Sequence, residues 1–126
     1  MINQIFSIRG ATTVEENSVS QITERSVELM KEIVSRNNLS ENSCFEITDY
    51  IISTTEDITA FYPARAIRES GVVNAPIFSA KEPSIDGALP LCIRVMVRVS
   101  NSGERVEPKH VYLHNAKNLR KDLIEK

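Results

Sequence analysis

Between positions 91 and 99 the chain alternates: Leu91, Ile93, Val95, Val97 and Val99 are apolar, while Cys92, Arg94, Met96 and Arg98 take the intervening places. A period of two is that of a strand with one oily face. Its second face carries two guanidiniums at mid-strand positions, where each must reach water or meet a fixed anion. Just upstream, Pro83, Asp86, Gly87 and Pro90 predict a loop, and Glu82 sits where the short strand APIFSAKE gives way to it. A loop thus brings a carboxylate and an arginine to one sheet. The pattern alone leaves two readings open, a solvated polar face, which is the commoner outcome, and a site for an anion.

The remaining elements follow from the same periodicities. The first segment, IFSIRGATTVE, reads as a strand that runs out into a turn at Arg9-Gly10, which puts Arg9 at a strand end facing water. From Ser18 the period becomes helical, with Val19, Ile22, Leu29, Met30, Ile33 and Val34 on one stripe and Ser18 and Gln21 in capping-box spacing. Glu24, Arg25, Glu28, Lys31 and Glu32 predict a solvated face of charge pairs. A short turn at positions 40–43 leads into FEITDYIIST, whose β-branched and aromatic residues predict a strand through the middle of the sheet. In FYPARAIRESG, Pro63 suits the first turn of a short helix and Gly71 its stop. Arg65 and Arg68 share a face of that helix and Ile67 is its apolar anchor. VVNAPIFSAKE returns as a strand, and HVYLHNAKNLR alternates Val111 and Leu113 inward against His110, Tyr112 and His114 outward. KDLIEK reads as a loose tail or one helical turn.

Strand, helix, strand, helix and three further strands predict an α+β fold, a mixed sheet with helices packed on one side. At 126 residues the expectation is a single domain, 1–126, with positions 121–126 as a flexible tail. Neither a secretory signal nor a membrane span is visible, which predicts a cytoplasmic protein. Cys44 and Cys92 stand in no metal-ligand spacing, so ordinary buried thiols and no metal are expected. A net charge of −2 argues against nucleic acid as partner. Nine of the fifteen basic residues are nevertheless arginines, the side chain suited to gripping a planar carboxylate at two points. No nucleophile motif and no glycine-rich phosphate loop is present.

The strings IRGATTVE at 8–15, FYPARAIRE at 61–69, the Glu82-to-Arg94 spacing ending in LCIRVMV, and HVYL with a following LR at 119–120 resemble the monofunctional AroH-type chorismate mutases. The resemblance runs from about residue 5 to 120. It implies an isomerase that converts chorismate to prephenate in aromatic amino-acid biosynthesis, without cofactor. It also implies a barrel-like homotrimer with three clefts between neighbouring subunits. Carried over position by position, it makes Arg94 the donor to the ether oxygen and a carboxylate of the substrate, Arg9 a carboxylate anchor, and Glu82 the acceptor for the substrate hydroxyl. Tyr112 belongs to the same cleft and Arg68 to its mouth. Arg65 stands where relatives have lysine, Tyr62 where they have phenylalanine, and Ala64 lines the wall. Ile77, Phe78 and Ser79 fall on a wall strand, Ser79 replacing a cysteine. Leu119 and Arg120 match a segment that shields the cleft, in which Lys121 replaces a proline.

The reaction so implied is an intramolecular pericyclic rearrangement that needs no proton transfer and no covalent intermediate, which agrees with the missing nucleophile motif. It needs a flexible dianion held compactly and negative charge on an ether oxygen stabilised. Two other classes remain at this stage: a trimeric enamine/imine deaminase, which also grips carboxylates with arginine, and a non-catalytic sensor of an aromatic-pathway acid. The strands exclude the all-helical chorismate mutases.

Overall fold

The computed structural model describes residues 1–120 and 122. Five strands form one mixed sheet in the order β3-β2-β4-β1-β5. They are β1 (Gln4–Thr13), β2 (Phe45–Thr54), β3 (Ile77–Lys81), β4 (Cys92–Asn101) and β5 (Val111–Tyr112). Helix α1 (Val19–Arg36) links β1 to β2 and helix α2 (Pro63–Ser70) links β2 to β3. β1 and β2 both run antiparallel to β4, while β3 adds in parallel to β2 and β5 in parallel to β1. The α+β fold with its mixed sheet and the order of its elements are as the sequence predicts.

The centre of the sheet is β4, not β2, which is an interior strand one place out. β4 keeps the expected alternation: Ile93, Val95, Val97 and Val99 are buried, whereas Arg94 is half-buried and Met96 and Arg98 are exposed. Leu91 stays outside the strand with φ 50°. The larger correction concerns β1, which does not turn at Arg9-Gly10 but continues to Thr13. Gly10 is there to let α1 come close, because a Cβ at Gly10 would stand 2.7 Å from Ile33 Cδ1 and 3.2 Å from Leu29 Cδ1. Arg9 therefore sits within a strand, opposite Met96 of β4.

α1 starts as its cap predicts, Ser18 Oγ accepting from the Gln21 amide. The Gln21 side chain does not return to Ser18 but accepts from the Glu15 amide at 3.1 Å. Its charged stripe is not wholly solvated either, since Arg25 reaches back to donate to the Thr13 carbonyl at 2.7 Å. α2 opens on Pro63, closes on Gly71 in the left-handed region (φ 75°) and buries Ile67, all as its residues predict. The preceding loop is pinned by Asn17, whose Oδ1 accepts from the amides of Thr59 and Ala60 at 3.0 and 2.9 Å.

Two predicted strands are shorter than their apolar runs. β3 is confined to Ile77–Lys81, and positions 72–76 run as a loop after the Gly71 cap of α2. After Tyr112 a 3₁₀ turn, His114–Asn118, replaces the expected alternation, entered through a positive φ (53°) at His114. One face of the sheet carries the main core, in which Ile8, Tyr50, Ile52, Val97 and Val99 pack with Ile22, Leu29, Met30 and Ile33 of α1 and Ile67 of α2. The other face has a small cluster of Ala11, Cys92, Tyr112 and Ala116 at one end and lies open elsewhere. Cys92 is fully buried and Cys44 only half-buried; neither forms a disulfide.

Candidate active site

Pairing places the central site residues on the open face. Across the sheet, Ser53 of β2, Arg94 of β4, Ala11 of β1 and Tyr112 of β5 form one row. The next row is Phe78, Ile51, Met96 and Arg9. Apart from Phe78, these two rows line a shallow cavity of about 200 Å³ that includes Arg9, Ser53, Arg94, Met96 and Tyr112.

Glu82 enters this group from the end of β3. Its amide donates to the Thr54 carbonyl at 2.8 Å, which extends the β2–β3 ladder by one step. Its carboxylate accepts from the Ser53 hydroxyl, and its Oε1 lies 3.6 Å from Arg94 Nε. That is an ion-pair distance, too long for a hydrogen bond. Arg94 Nε is itself buried and has no hydrogen-bond partner among the described residues. A buried N–H left without an acceptor is costly in a finished fold, and Glu82 pairs the charge of Arg94 without accepting from its Nε. The same donor is well placed to receive an anionic ligand.

The loop that joins Glu82 to Arg94 is closed by side chains of the β2–α2 connection. Asp57 Oδ2 accepts from the Leu91 amide at 2.9 Å, Thr55 Oγ1 accepts from the Cys92 amide at 2.9 Å, and Thr55 Oγ1 donates to Asp57 Oδ1 at 2.5 Å. The Val14 amide holds the Leu91 carbonyl at 3.0 Å. Leu91 is thereby kept in its left-handed conformation three residues before Arg94, which the strand turns onto the open face.

Several nearby groups report a cationic environment. Burial pushes the Tyr112 phenol above its usual range, opposed by the guanidiniums of Arg9, Arg120 and Arg94. Burial lowers His110, helped by Arg9 and Arg120, and His110 Nδ1 accepts from the Arg9 amide at 2.9 Å. Burial likewise raises the Cys92 thiol against the Arg94 guanidinium. Leu119 packs on the Tyr112 cluster. Arg120 is paired with Asp122 at 2.8 Å, a contact that holds the Asp122 carboxyl below its usual range. Lys121 lies outside the described residues.

The other expected residues form a second group elsewhere. Tyr62, Ala64, Arg65, Arg68, Ile77 and Ser79 line a cavity of about 330 Å³. It adjoins a larger one of about 640 Å³ that adds Ile58, Phe61 and Lys81. Ser79 pairs with Ile52 and Ile77 with Tyr50, both buried in the helix-covered core, so this group lies on the side of α2. Arg65 stacks on the Phe61 ring at 5.4 Å and pairs with Glu69 at 3.4 Å. Alternation thus separates Phe78, on the open face, from Ile77 and Ser79. The two groups occupy opposite faces of one sheet and do not meet within a single chain.

The chain matches the family model described as "Chorismate mutase type I" over residues 5–123. The chain belongs to the type I chorismate mutase family. It is 37% identical over 119 residues to chorismate mutase AroH of Thermus thermophilus, covering 94% of this chain and 96% of that protein. It is 35% identical over 120 residues to chorismate mutase AroH of Bacillus subtilis strain 168, covering 94% and 92%. Its fold resembles the solved chorismate mutase of Clostridium thermocellum with a TM-score of 0.79 and 37% identity, over 89% of this chain and 97% of that one. Membership in the type I family sets aside the enamine/imine deaminase alternative.

Sequence reading missed Ser53, the Thr55–Asp57 clamp and His110. The alternation of β2 puts Ser53 on the parity of Asp49 and Ile51, but only strand register shows it beside Arg94. Among the described residues, no cluster of three or more histidine, cysteine or acidic side chains could hold a metal ion. No described helix is long and apolar enough to cross a membrane.

Proposed function

We propose that this protein catalyses the rearrangement of chorismate to prephenate, a step of aromatic amino-acid biosynthesis, at clefts that two subunits of a homotrimer build together. The observation that carries the reading is Arg94: a charged donor fixed on the central strand, its Nε buried without a hydrogen-bond acceptor among the described residues, with Glu82 at ion-pair distance. In the rearrangement the ether C–O bond breaks as a C–C bond forms, and negative charge gathers on the departing oxygen. Arg94 donates to that oxygen and to a substrate carboxylate. Arg9 anchors a carboxylate, Glu82 accepts from the ring hydroxyl, and Tyr112 completes this half of the cleft.

Arg65, Arg68, Tyr62, Ala64, Ile77 and Ser79 form the other half, contributed by the neighbouring subunit. Two observations support that division. The two groups face opposite ways in one chain, so a shared cleft requires a second copy. The open face also exposes Phe78 (69%), Ile51 (42%) and Met96 (42%) side by side across three strands, and contiguous apolar surface of this kind marks an interface. Leu119 and Arg120 shield the opening.

The catalytic demand is modest. A rate enhancement near ~10⁶ corresponds to about 8 kcal/mol. One charged donor in a dry cleft supplies roughly 3 to 4 kcal/mol, and holding a flexible dianion in a compact chair-like conformation supplies much of the remainder. The test is loss of chorismate absorbance with purified protein, without metal or cofactor, and acid conversion of the product to phenylpyruvate. Sedimentation gives the subunit number. Turnover by a trimer is expected; a folded protein without turnover would contradict the reading.

A further inference from the structure

We propose that Ser53 is a positioning residue for this reaction, one that orients Glu82 toward the substrate hydroxyl and prevents it from closing as a fork onto Arg94. The inference rests on the reading above, in which Glu82 and Arg94 act on chorismate.

Ser53 stands directly across from Arg94 in the β2–β4 pairing. Its hydroxyl donates to Glu82 Oε2, leaving Oε1 to face Arg94 Nε at 3.6 Å. Glu82 is fixed at its backbone by the Thr54 carbonyl, but it lies just past the end of β3 and its side chain has three rotatable bonds. A carboxylate free beside a guanidinium settles into a bidentate pair of two parallel hydrogen bonds. Such a pair would occupy the donors that Arg94 needs for the substrate and would cancel its charge. By holding one oxygen, Ser53 leaves the other too far from Arg94 Nε for a hydrogen bond, so Arg94 stays open and Glu82 keeps lone pairs for the incoming hydroxyl. Ser53 also lines the same cavity as Arg9, Arg94 and Tyr112, so the restraint acts inside the cleft.

The experiment compares wild type, Ser53→Ala, Ser53→Cys, Ser53→Thr, Glu82→Ala and the Ser53→Ala/Glu82→Ala double variant, each checked for melting temperature and subunit number. Chorismate turnover is measured above the spontaneous rate. Ser53→Ala is expected to lower kcat/KM by about 10- to 100-fold, the range for losing a hydrogen bond to a charged group. Ser53→Cys keeps the volume but is a weak donor, and it should show a similar loss even if the alanine variant folds poorly. Ser53→Thr keeps the hydroxyl and should recover most of the activity. The double variant should be no slower than Glu82→Ala, because a residue that acts through Glu82 has nothing left to orient.

Active wild type with an unimpaired Ser53→Cys, or with losses that multiply in the double variant, overturns the inference and leaves the active-site reading in place. Wild type that does not turn over chorismate overturns both.

Discussion

Arg94 and Arg68 lie on opposite sides of the same five-stranded sheet. Arg94 points from β4 onto the open face beside Ser53 and Glu82. Arg68 belongs to α2, packed over the other face, where it shares a cavity with Ile77 and Ser79. If both act on one substrate, they come from different subunits. Arg94→Ala and Arg68→Ala should each be severely impaired alone. Unfolded together and reassembled, they should recover up to about a quarter of wild-type sites, because each cleft in a randomly mixed trimer draws its two halves independently. Mixed trimers are identified by a tag on one variant; their inactivity would argue against shared clefts.

Gly10 tests why β1 passes straight through Arg9. Its missing Cβ is the space that Ile33, Leu29 and Val95 occupy. Gly10→Ala should destabilise the protein by about 1 to 3 kcal/mol through overpacking, read from chemical denaturation. An unchanged midpoint would mean that α1 gives way without cost.

The α1 period, its cap, α2 with its proline start and glycine stop, and the β4 alternation were all legible in the sequence, because each is set by neighbours within a few residues. Gly10 was not. A glycine after an arginine carries the same local signal whether it makes a turn or admits a helix from above, and only tertiary packing distinguishes the two. Family resemblance named the candidate site residues one by one, but not their division between the two faces of the sheet. Ile77, Phe78 and Ser79 read as one wall until their partners in β2 split them. Ser53 and Asp57 escaped notice for a related reason, since their roles come from contacts 29 and 34 residues away.

Asp57 is expected to matter although it lies outside the cleft. It holds the Leu91 amide and the Thr55 hydroxyl that together set the start of β4. Asp57→Ala leaves the Leu91 amide without its acceptor and the Thr55 hydroxyl with only the Cys92 carbonyl at 3.4 Å, at a cost of about 1 to 3 kcal/mol, and should lower turnover by loosening Arg94. Denaturation midpoints and kcat measured on the same preparation check this; full stability together with full turnover would contradict it.

His110 gives a pH signature. Its Nδ1 must stay unprotonated to accept from the Arg9 amide, and its folded pKa is lowered below the usual 6.5. For a depressed pKa the unfolded chain binds the proton first. The contribution is therefore complete above about pH 6.5 and disappears as pH falls through the folded value. The melting-temperature difference between wild type and His110→Ala should be largest near about pH 7.5 and shrink toward about pH 5. A difference that grows on acidification would contradict the assignment.

The central claim is that a fixed cation at Arg94 stabilises the charge formed as the ether bond breaks. Its most direct test is kcat for chorismate with wild type and Arg94→Ala, each confirmed as a folded assembly. Loss of an oxyanion donor predicts a fall of at least ~10²-fold, with Arg94→Lys recovering little because it keeps the charge without the planar fork. An Arg94→Ala protein that assembles and turns over near the wild-type rate would contradict the account.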